Sequence, residues 1–381
     1  MTKVSLLTHS YLDGYNRNYA RVFGGGLERY IHDLCLLLQD MGCTPVVHQL
    51  SFFEDFDSVV DGIEVHGYTY RSDRIAEAFE RITAPIQGPL IYASCLWHPI
   101  RYRPGSIGIC HGINWDNPLL DAQAKRTVAE SIQGAIDQLT RIVTVDSHFQ
   151  TYCRSVCQYE DSSKLALIPN SVDTRYFTPG EPEKSPAIGL IKVLYPRRLS
   201  PERGILQMMQ IADRLLASNP SILMEFAGER VEGSPIGDAF PIWRQSHPHR
   251  ERIRHRTYGF SEVRAAYRGA DIAVIPTIYS EGTSYSCLEA MSCGLPVVST
   301  DVGGLNDLVI DGFNGRIVPP RKEELYEAIM ELAENRELRT TMGRRARETA
   351  LSFDLSIWRR RWRKVLEAYL PPLPGTDERR N

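Results

Sequence analysis

The sequence lacks the features of several common protein classes. Its 44 Lys and Arg residues against 47 Asp and Glu residues leave a net charge of −3, which offers no basic excess for nucleic acid. No apolar run approaches the roughly 18 residues needed to span a bilayer. The N-terminal segment MTKVSLLTHSYL has neither the apolar stretch nor the cleavage site of a signal peptide. We therefore expect a cytoplasmic protein with no nucleic-acid partner.

Cysteine and carboxylate patterns give little support for a metal site. The eight cysteines form no C-x-x-C pair and no ligand cluster with a histidine, so we expect reduced, mostly buried thiols. Asp55 and Asp57 form a D-x-D pattern, which could hold a divalent ion beside a nucleotide sugar. Their surroundings are acidic and loop-like, however, and a solvated turn is the preferred interpretation. We expect neither a metal nor a cofactor.

The dinucleotide fingerprint G-x-G-x-x-G is also missing. It should follow the first strand at once, whereas the glycines Gly24, Gly25 and Gly26 come well after the apolar run KVSLLTH. The absence of glycines directly after the first strand argues against a dinucleotide-dependent dehydrogenase. Three glycines directly before a helix still let a ligand approach the backbone and leave amides available, so they are candidates for an acceptor or phosphate loop.

The sequence does contain a regular alternation of apolar runs and helical patterns. This alternation predicts an α/β fold with two doubly wound, Rossmann-like domains facing a central cleft. A proline-rich, acidic stretch, Arg175–Gly189, interrupts the pattern and is typical of a linker. We predict an N-terminal domain over 1–184, a C-terminal domain over 185–352, and a last helix, 353–371, that packs back on the first domain.

Two glutamates, Glu281 and Glu289, stand seven residues apart among glycines and hydroxyl residues. If a helix begins near Ser284, its first amides form an anion site, with the helix dipole behind them. Glu289 would then be close enough to accept hydrogen bonds from a nucleotide ribose, and Glu281 would reach a group beyond the phosphate, such as a sugar hydroxyl. The alternative is a pair of solvated surface glutamates. The amides in question belong to Thr283, Ser284, Tyr285 and Ser286.

Two further segments place polar residues at predicted strand ends. Arg198 and Arg203 flank a turn in YPRRLSPERG, and two guanidinium groups there suit a diphosphate. The alternative is a basic pair on the surface. His111 follows the apolar run GSIGIC, and as a neutral imidazole it could hydrogen-bond a substrate hydroxyl. A single histidine of this kind is often structural.

These segments, in this order, resemble the retaining glycosyltransferases of family 4, which have a GT-B fold. The similarity covers nearly the whole chain. It rests on five segments: GGGLERYI, IPNSVDTRYFTP, RRLSPERG, EGTSYSCLEAMSCGLPVVSTDVGG and DGFNGRIVPP.

The resemblance implies transfer of a hexose from a nucleotide diphosphate sugar to an acceptor, with retention of configuration and without a metal. It implies that Arg198 and Arg203 neutralise the diphosphate and that Glu289 holds the ribose. It assigns the donor sugar to Glu281 with the amides of residues 282–284, the first of which is Gly282.

The resemblance also places other contacts of the donor. His111 would contact the sugar, and the base would lie near Tyr258, Gly259 and Phe260. A UDP-sugar such as UDP-glucose is the expected donor, with UDP as product. A sugar, a lipid-linked glycan or a small molecule is the expected acceptor, which suits polysaccharide biosynthesis.

Two positions depart from the family pattern. Arg203 replaces the usual lysine, which keeps the charge but changes its geometry. Arg197 stands where the family usually has glycine. Three alternative functions stay open: a dehydrogenase, a non-catalytic nucleotide-sugar binding module, and a phosphorylase or sugar-phosphate synthase on the same fold.

The last helix has an apolar face that includes Trp358 and Trp362 and a basic flank that includes Arg360, Arg361 and Lys364. One interpretation is that the apolar face packs on the protein and the basic flank is solvated. The other is that the flank also contacts anionic lipid, which would give peripheral association with the inner face of a membrane.

Overall fold

A computed structural model describes most of the chain, and all structural statements refer to this part. The described residues are 2–113, 117–180, 189–230, 234–259 and 262–371. Two sequence predictions fall wholly or partly outside them: the base contact at Phe260, and residues 181–188 of the predicted linker.

The chain divides into two compact units. Unit 1 contains the residues up to Pro169, apart from a short segment near Asn117, together with the C-terminal helix from Trp358 onward. Unit 2 contains Asn170–Ile357 and the short segment near Asn117. We predicted a boundary at 184/185 from the proline-rich stretch, whereas the compact units divide the chain before Asn170. The difference arises because Val172 pairs with Phe353 and Leu355, so the segment before the predicted linker is bound within unit 2.

Unit 1 is built on an eight-stranded sheet with helices between its strands. In the order β10-β9-β8-β7-β1-β4-β6-β5, all neighbours are parallel except β5 and β6. The helices are α1 (Gly26–Asp40), α2 (Ile75–Thr83), α3 (Ala122–Gln138) and α4 (Ser147–Val156). The strands are β1 (Lys3–Thr8), β2 (Leu12–Asp13), β3 (Asn18–Val22), β4 (Thr44–Ser51), β5 (Phe56–Val60), β6 (Ile63–Thr69), β7 (Leu90–Tyr92), β8 (Ile107–Cys110), β9 (Arg141–Thr144) and β10 (Leu165–Leu167).

Unit 2 is built on a six-stranded parallel sheet with the order β13-β12-β11-β14-β15-β16. The strands are β11 (Ile191–Tyr195), β12 (Ile222–Phe226), β13 (Ile253–His255), β14 (Ile272–Ile275), β15 (Val297–Thr300) and β16 (Gly315–Val318). The helices are α5 (Ile205–Ser218), α6 (Pro235–Ser246), α7 (Val263–Arg268), α8 (Tyr285–Ser292), α9 (Lys322–Glu334), α10 (Arg336–Leu351) and α11 (Leu355–Tyr369), the last of which belongs to unit 1 from Trp358 on.

The predicted fold class is confirmed in each unit. Parallel strands covered by helices on both faces are apolar along their whole length, and the runs in β1 and β14 are buried throughout or nearly so. In each sheet the strand order reverses at one place, between β1 and β7 in unit 1 and between β11 and β14 in unit 2. Such a switch point, at the carboxyl ends of the strands, is where open α/β sheets bind ligands.

The C-terminal helix packs on unit 1 through its tryptophans. Trp362 is fully buried, and its Nε1 donates a hydrogen bond to the Tyr30 hydroxyl at 2.6 Å. The Trp358 ring meets the Tyr30 ring edge-on, with centroids 5.2 Å apart. Among the described helices, none combines the length and the apolar character needed to cross a membrane.

Candidate functional site

The switch point of unit 2 brings together several of the predicted polar residues. Arg197 follows β11 after a single proline, and Thr277 follows β14 in the same way. The loop after β14 carries Glu281, and α8 begins at Tyr285. Because β11 and β14 are neighbours and parallel, their carboxyl ends deliver these residues to one place.

The carboxylate of Glu281 is the centre of this cluster. Its Oε2 accepts hydrogen bonds from Arg203 Nη1 at 2.7 Å and Thr277 Oγ1 at 2.8 Å. Arg197 Nη2 donates to the same oxygen. Within the described chain, Oε1 of Glu281 accepts no hydrogen bond. One carboxylate oxygen is therefore fixed by three donors and the other remains available as an acceptor.

Arg197 connects Glu281 to the start of α8. Its Nη1 donates to the hydroxyls of Ser284 and Ser286, both at 2.8 Å, and its side chain is only 10% exposed. Ser284 is also the N-cap of α8, where its hydroxyl accepts from the Cys287 amide. The guanidinium group thus joins the loop after β14 to the first turn of the helix.

Charge balance keeps Glu281 ionised. Burial alone would raise its pKa, but the positive charges of Arg197 and Arg203 outweigh burial and hold the pKa below the ordinary value. Burial lowers the pKa of Arg197, and the charge of Glu281 opposes this effect. With two guanidinium groups to one carboxylate beside a helix N-terminus, the cluster has an excess of positive charge.

Close backbone packing holds the loop in place. The Gly304 amide donates to the Glu281 carbonyl at 3.0 Å, and a Cβ on Gly304 would lie 2.5 Å from the carbonyl carbon of Gly282. Ser280 lies in the left-handed region with φ 60°, an uncommon conformation for a residue with a side chain. Its carbonyl accepts from Arg203 Nη1 at 3.0 Å, which supports the strained residue.

Glu289 lies within α8 and is buried. Its Oε2 accepts a hydrogen bond from the Tyr267 hydroxyl at 2.8 Å. Burial, followed by the nearby charge of Glu289, raises the pKa of Tyr267 well above its usual range, so the phenol stays protonated and keeps donating. The two glutamates of the E-x(7)-E pattern therefore occupy separate environments, and neither is a solvated surface residue.

The segment predicted to contact a base is partly described. The Tyr258 hydroxyl donates to Glu225, whose second oxygen pairs with Lys192 Nζ at 3.0 Å. Burial raises the pKa of Tyr258 to about 12. Gly259 accepts two amide hydrogen bonds at the start of α7, from Glu262 and Val263. This network fixes the backbone beside β12 and β13.

The switch point of unit 1 carries a second polar cluster. His9 follows β1, and its Nδ1 lies 3.0 Å from the Ser94 hydroxyl beyond the end of β7. Cys95 Sγ lies 3.6 Å from the same nitrogen, and Cys95 has a left-handed φ of 68°. Burial lowers the pKa of His9 to about 4 and raises that of Cys95 to about 11. Both groups are therefore neutral near pH 7.

His111 lies beyond the end of β8, as predicted from the sequence. Its Nε2 lies 3.0 Å from the Ala93 carbonyl. Since a carbonyl only accepts, Nε2 carries the proton. Burial lowers the His111 pKa to about 3, which makes the ring neutral and leaves Nδ1 as an acceptor for a hydroxyl group. The edge contact with the Tyr30 ring, at a centroid distance of 4.7 Å, orients the imidazole.

The glycine loop lies at the start of α1 in unit 1, where Gly25 is the N-cap and Gly26 the first helical residue. A Cβ on Gly25 would lie 2.1 Å from the carboxylate of Glu28, whereas nothing lies within 4 Å of one on Gly24. The first turn of α1 therefore already has a carboxylate beside it. The assignment of these glycines to an acceptor or phosphate loop stays a prediction.

Asp55 and Asp57 are bound to neighbouring residues. Asp55 accepts from the Thr69 hydroxyl at 2.7 Å, and Asp57 pairs with His66. In the part of the chain that is described, no group of three or more His, Cys, Asp or Glu side chains could hold a metal ion.

Comparison with known proteins finds a similarity to one family in the second half of the chain. Residues 181–349 match the family model described as glycosyl transferases group 1. The matched residues cover most of unit 2 and include the Glu281 cluster.

Curated relatives match parts of the chain. D-inositol 3-phosphate glycosyltransferase of Geodermatophilus obscurus is 29% identical over 209 residues, which is 52% of this chain and 46% of that protein. The chain spans between 27% and 53% of the length of the first curated relatives it matches.

Solved structures are similar over nearly the whole chain and have the GT-B fold. Sucrose-phosphate synthase from Thermosynechococcus elongatus superimposes with a TM-score of 0.77 at 17% identity, covering 97% of this chain and 99% of that one. Anabaena HepE in complex with UDP-glucose gives a TM-score of 0.71 at 15% identity, covering 97% and 100%. At this level of identity the similarity establishes the fold alone.

The structure adds two residues of unit 2, Arg197 and Asn170, to the site expected from the sequence. Arg197 was noted only as a departure from a family glycine, yet it contacts Glu281 and two serines of the first turn. Asn170 lies in the segment IPNSVD. Its Nδ2 donates to the Thr283 carbonyl, and its buried Oδ1 has no hydrogen-bond partner among the described residues. Arg198 is partly exposed, and its role as a contact of the diphosphate stays a prediction.

Proposed function

We propose that the protein is a retaining, metal-independent glycosyltransferase of family 4. It transfers a hexose from a nucleotide diphosphate sugar, with UDP-glucose as the expected donor. The observation that carries this proposal is the cluster at the unit 2 switch point, where Arg197 and Arg203 meet an ionised Glu281 beside the start of α8. Arg203 beside the N-terminus of α8 suits a diphosphate, and a carboxylate with one available oxygen suits a sugar hydroxyl.

The comparisons support a nucleotide-sugar donor. The match to glycosyl transferases group 1 covers the cluster, and the fold is shared with HepE, which has been crystallised with UDP and with UDP-glucose. In the proposed complex the diphosphate contacts Arg198, Arg203 and the amides of the first turn of α8. Glu289 accepts from the ribose hydroxyls.

In the proposed reaction the bond between the anomeric carbon and the donor phosphate breaks, and a bond to the acceptor oxygen forms on the same face. The departing phosphate takes the acceptor proton. The arginines and the α8 amides stabilise negative charge as it develops on the diphosphate, so positioning and electrostatics carry the catalysis. Glu281 holds the sugar and is not half of a glycosidase acid/base pair, because its carboxylate is fixed by cations.

Unit 1 is proposed to bind the acceptor. The proposed role of His111 is instead a contact with the donor sugar, because its neutral ring with Nδ1 as an acceptor suits a sugar hydroxyl and would not bring a positive charge. A glycan, a lipid-linked glycan or a small molecule remains the proposed acceptor class.

A turnover assay separates this function from its alternatives. UDP-, GDP- and ADP-sugars are incubated with sugars, lipid-linked glycans, sugar phosphates and inorganic phosphate, and the products are analysed by mass spectrometry and by NMR of the anomeric centre. A retained linkage to a glycan or lipid supports the proposal. Transfer only to phosphate or a sugar phosphate would instead identify a phosphorylase or synthase, and donor binding without transfer would identify a binding module.

A variant links the activity to the cluster. Each charge-assisted contact is worth roughly 1.5–3 kcal/mol. Arg203→Ala and Arg198→Ala should therefore each lower kcat/KM for the donor on the order of 10–150-fold. Unchanged kinetics in both variants would contradict the proposed leaving-group site.

A further inference from the structure

Arg197 is the feature of the switch point that the family pattern does not explain. The usual residue there is glycine, so the expected donor contacts assign no role to a side chain at this position. Here a long cation occupies it and is almost fully buried, with a side-chain exposure of 10%. Burying a charge costs free energy unless the charge is paired and hydrogen-bonded, and Arg197 satisfies both conditions.

The guanidinium group makes two kinds of contact. Nη1 is shared by the hydroxyls of Ser284 and Ser286, at 2.8 Å each. Nη2 donates to Oε2 of Glu281. The guanidinium group is planar and its donors stand at fixed angles, so it can bridge the two serines and Glu281 in one orientation only. A lysine ammonium group has no such fixed geometry.

These contacts fix the orientation of the Glu281 carboxylate. Oε2 is held by Arg197 and by two further donors, Arg203 and Thr277. Oε1 of the same carboxylate accepts no hydrogen bond in the described chain. Since the carboxylate is planar, fixing Oε2 also fixes the direction in which Oε1 presents its lone pairs.

We propose that Arg197 is a positioning residue that ties one oxygen of Glu281 to the start of α8 and thereby presents the other oxygen to a hydroxyl group of the donor sugar. This inference rests on the proposed function and adds a residue to it. Arg197 acts on the sugar through Glu281, so its removal should weaken recognition of the sugar and leave recognition of the nucleotide largely intact.

The test measures the ratio of the Kd for UDP to the Kd for UDP-glucose by calorimetry. If the wild-type protein prefers GDP or ADP, the matching pair is used. The variants are Arg197→Gln, Glu281→Ala and the double variant, with thermal unfolding recorded for each. We expect Arg197→Gln to lower this ratio about tenfold while the Kd for UDP itself changes less than about threefold. The double variant should be no worse than Glu281→Ala, because both changes remove one contact.

Arg197→Lys serves as a second variant if Arg197→Gln does not fold. It keeps the charge but loses the fork, so the ratio should fall about threefold. An equal loss of affinity for UDP and UDP-glucose would make Arg197 a phosphate contact and overturn the inference. Additive effects in the double variant, or an unchanged ratio in both Arg197 variants, would overturn it as well.

Failure of the proposed function has a different signature. If the wild-type protein binds none of the nucleoside diphosphates or their sugars, the proposed function falls and the inference falls with it. If the wild-type protein binds the pair and only the Arg197 variants behave differently from expectation, the proposed function stands and the role of Arg197 is wrong.

Discussion

At the residue scale, the two glutamates of E-x(7)-E differ in what holds them. Glu281 is fixed by two guanidinium groups and a threonine hydroxyl, whereas Glu289 accepts from a tyrosine that stays protonated. The sequence pattern predicts both carboxylates but treats them alike. Their separate partners, Arg197 and Tyr267, come from other parts of the chain, which is why spacing alone did not distinguish the two environments.

We predict that replacing these glutamates affects different steps. Glu289→Ala should weaken binding of free UDP about tenfold or more, because the carboxylate proposed to accept from two ribose hydroxyls is lost. Glu281→Ala should mainly lower turnover of the sugar donor. Calorimetry with UDP and steady-state kinetics with UDP-glucose measure the two effects. An equal loss of UDP affinity in both variants would show that the division of roles is wrong.

Buried histidines predict how stability depends on pH. Burial lowers the pKa of His9 and His48 to about 4 and that of His111 to about 3. The histidines of the unfolded chain have pKa values near 6.5, so they bind protons at a pH where those of the folded chain stay neutral. The free energy of unfolding is therefore highest above pH 6.5 and decreases as the pH drops below that value.

Between pH 6 and 5, each such histidine should lower the free energy of unfolding by about 1.4 kcal/mol for each pH unit of acidification. Urea unfolding at a series of pH values measures it. His48 lies outside the candidate site. Its replacement by glutamine should reduce this pH dependence of the free energy of unfolding by the contribution of one histidine. A free energy of unfolding that is constant from pH 6.5 to 5 would contradict the assignment of these rings as neutral and buried.

At the element scale, the loop between β14 and α8 is held by close backbone packing that only glycine permits. A Cβ on Gly304 would lie 2.5 Å from Gly282 and 2.7 Å from the Thr283 amide nitrogen. The glycine pair after β15 was visible in the sequence as DVGG. Its function as the surface against which the loop rests required the three-dimensional contact.

Gly304→Ala should therefore displace the loop and lower both stability, by about 1–3 kcal/mol, and affinity for UDP-glucose. Gly134→Ala is the matched control. Gly134 lies within α3, and the nearest atom to an added Cβ there is a flexible glutamine nitrogen at 3.6 Å. Alanine favours the helix by roughly 0.5–1 kcal/mol, so this variant should be slightly more stable and bind normally. Similar melting temperatures for the two variants would contradict the packing argument.

The C-terminal helix has one buried apolar face and one basic face with exposed side chains. Trp358 and Trp362 are buried in unit 1, so any lipid contact would have to use the opposite, basic side. On that side Arg359 pairs with Asp40, while Arg360 and Arg361 are exposed. Sequence periodicity predicted the apolar face, and the ring contacts with Tyr30 add the partner.

The solvated and the membrane interpretation of the basic flank differ in the vesicle binding that they predict. Replacing Arg360, Arg361 and Lys364 with glutamine should leave the melting temperature nearly unchanged under both, because all three are exposed. Only the membrane interpretation predicts that sedimentation with phosphatidylglycerol vesicles at low salt falls in this variant, at roughly 1 kcal/mol per basic residue. If the unmodified protein does not sediment with such vesicles, the membrane interpretation is wrong and a water-soluble acceptor is favoured.

At the scale of the whole molecule, sequence pattern predicted the fold well and the site in part. The apolar runs in the sequence predicted the central strands, and the helix expected to begin near Ser284 is observed at Tyr285–Ser292. Strands β2 and β3 leave little sequence signal, because β2 has only two residues and β3 is largely exposed and has no apolar alternation. Arg197 was missed because side-chain partners 84 to 89 residues away leave no local signal.

The central claim is that the switch point of unit 2 binds a nucleoside diphosphate sugar without a metal. The most direct test is isothermal titration of the protein with UDP, UDP-glucose and uridine in EDTA, repeated with the GDP and ADP series. The account predicts a Kd in the range of roughly 1 μM to 1 mM for one diphosphate series. The nucleoside alone should bind at least about tenfold more weakly, because it lacks the charge-assisted contacts. Absence of binding in all three series, or binding that appears only when Mg²⁺ or Mn²⁺ replaces EDTA, would contradict it.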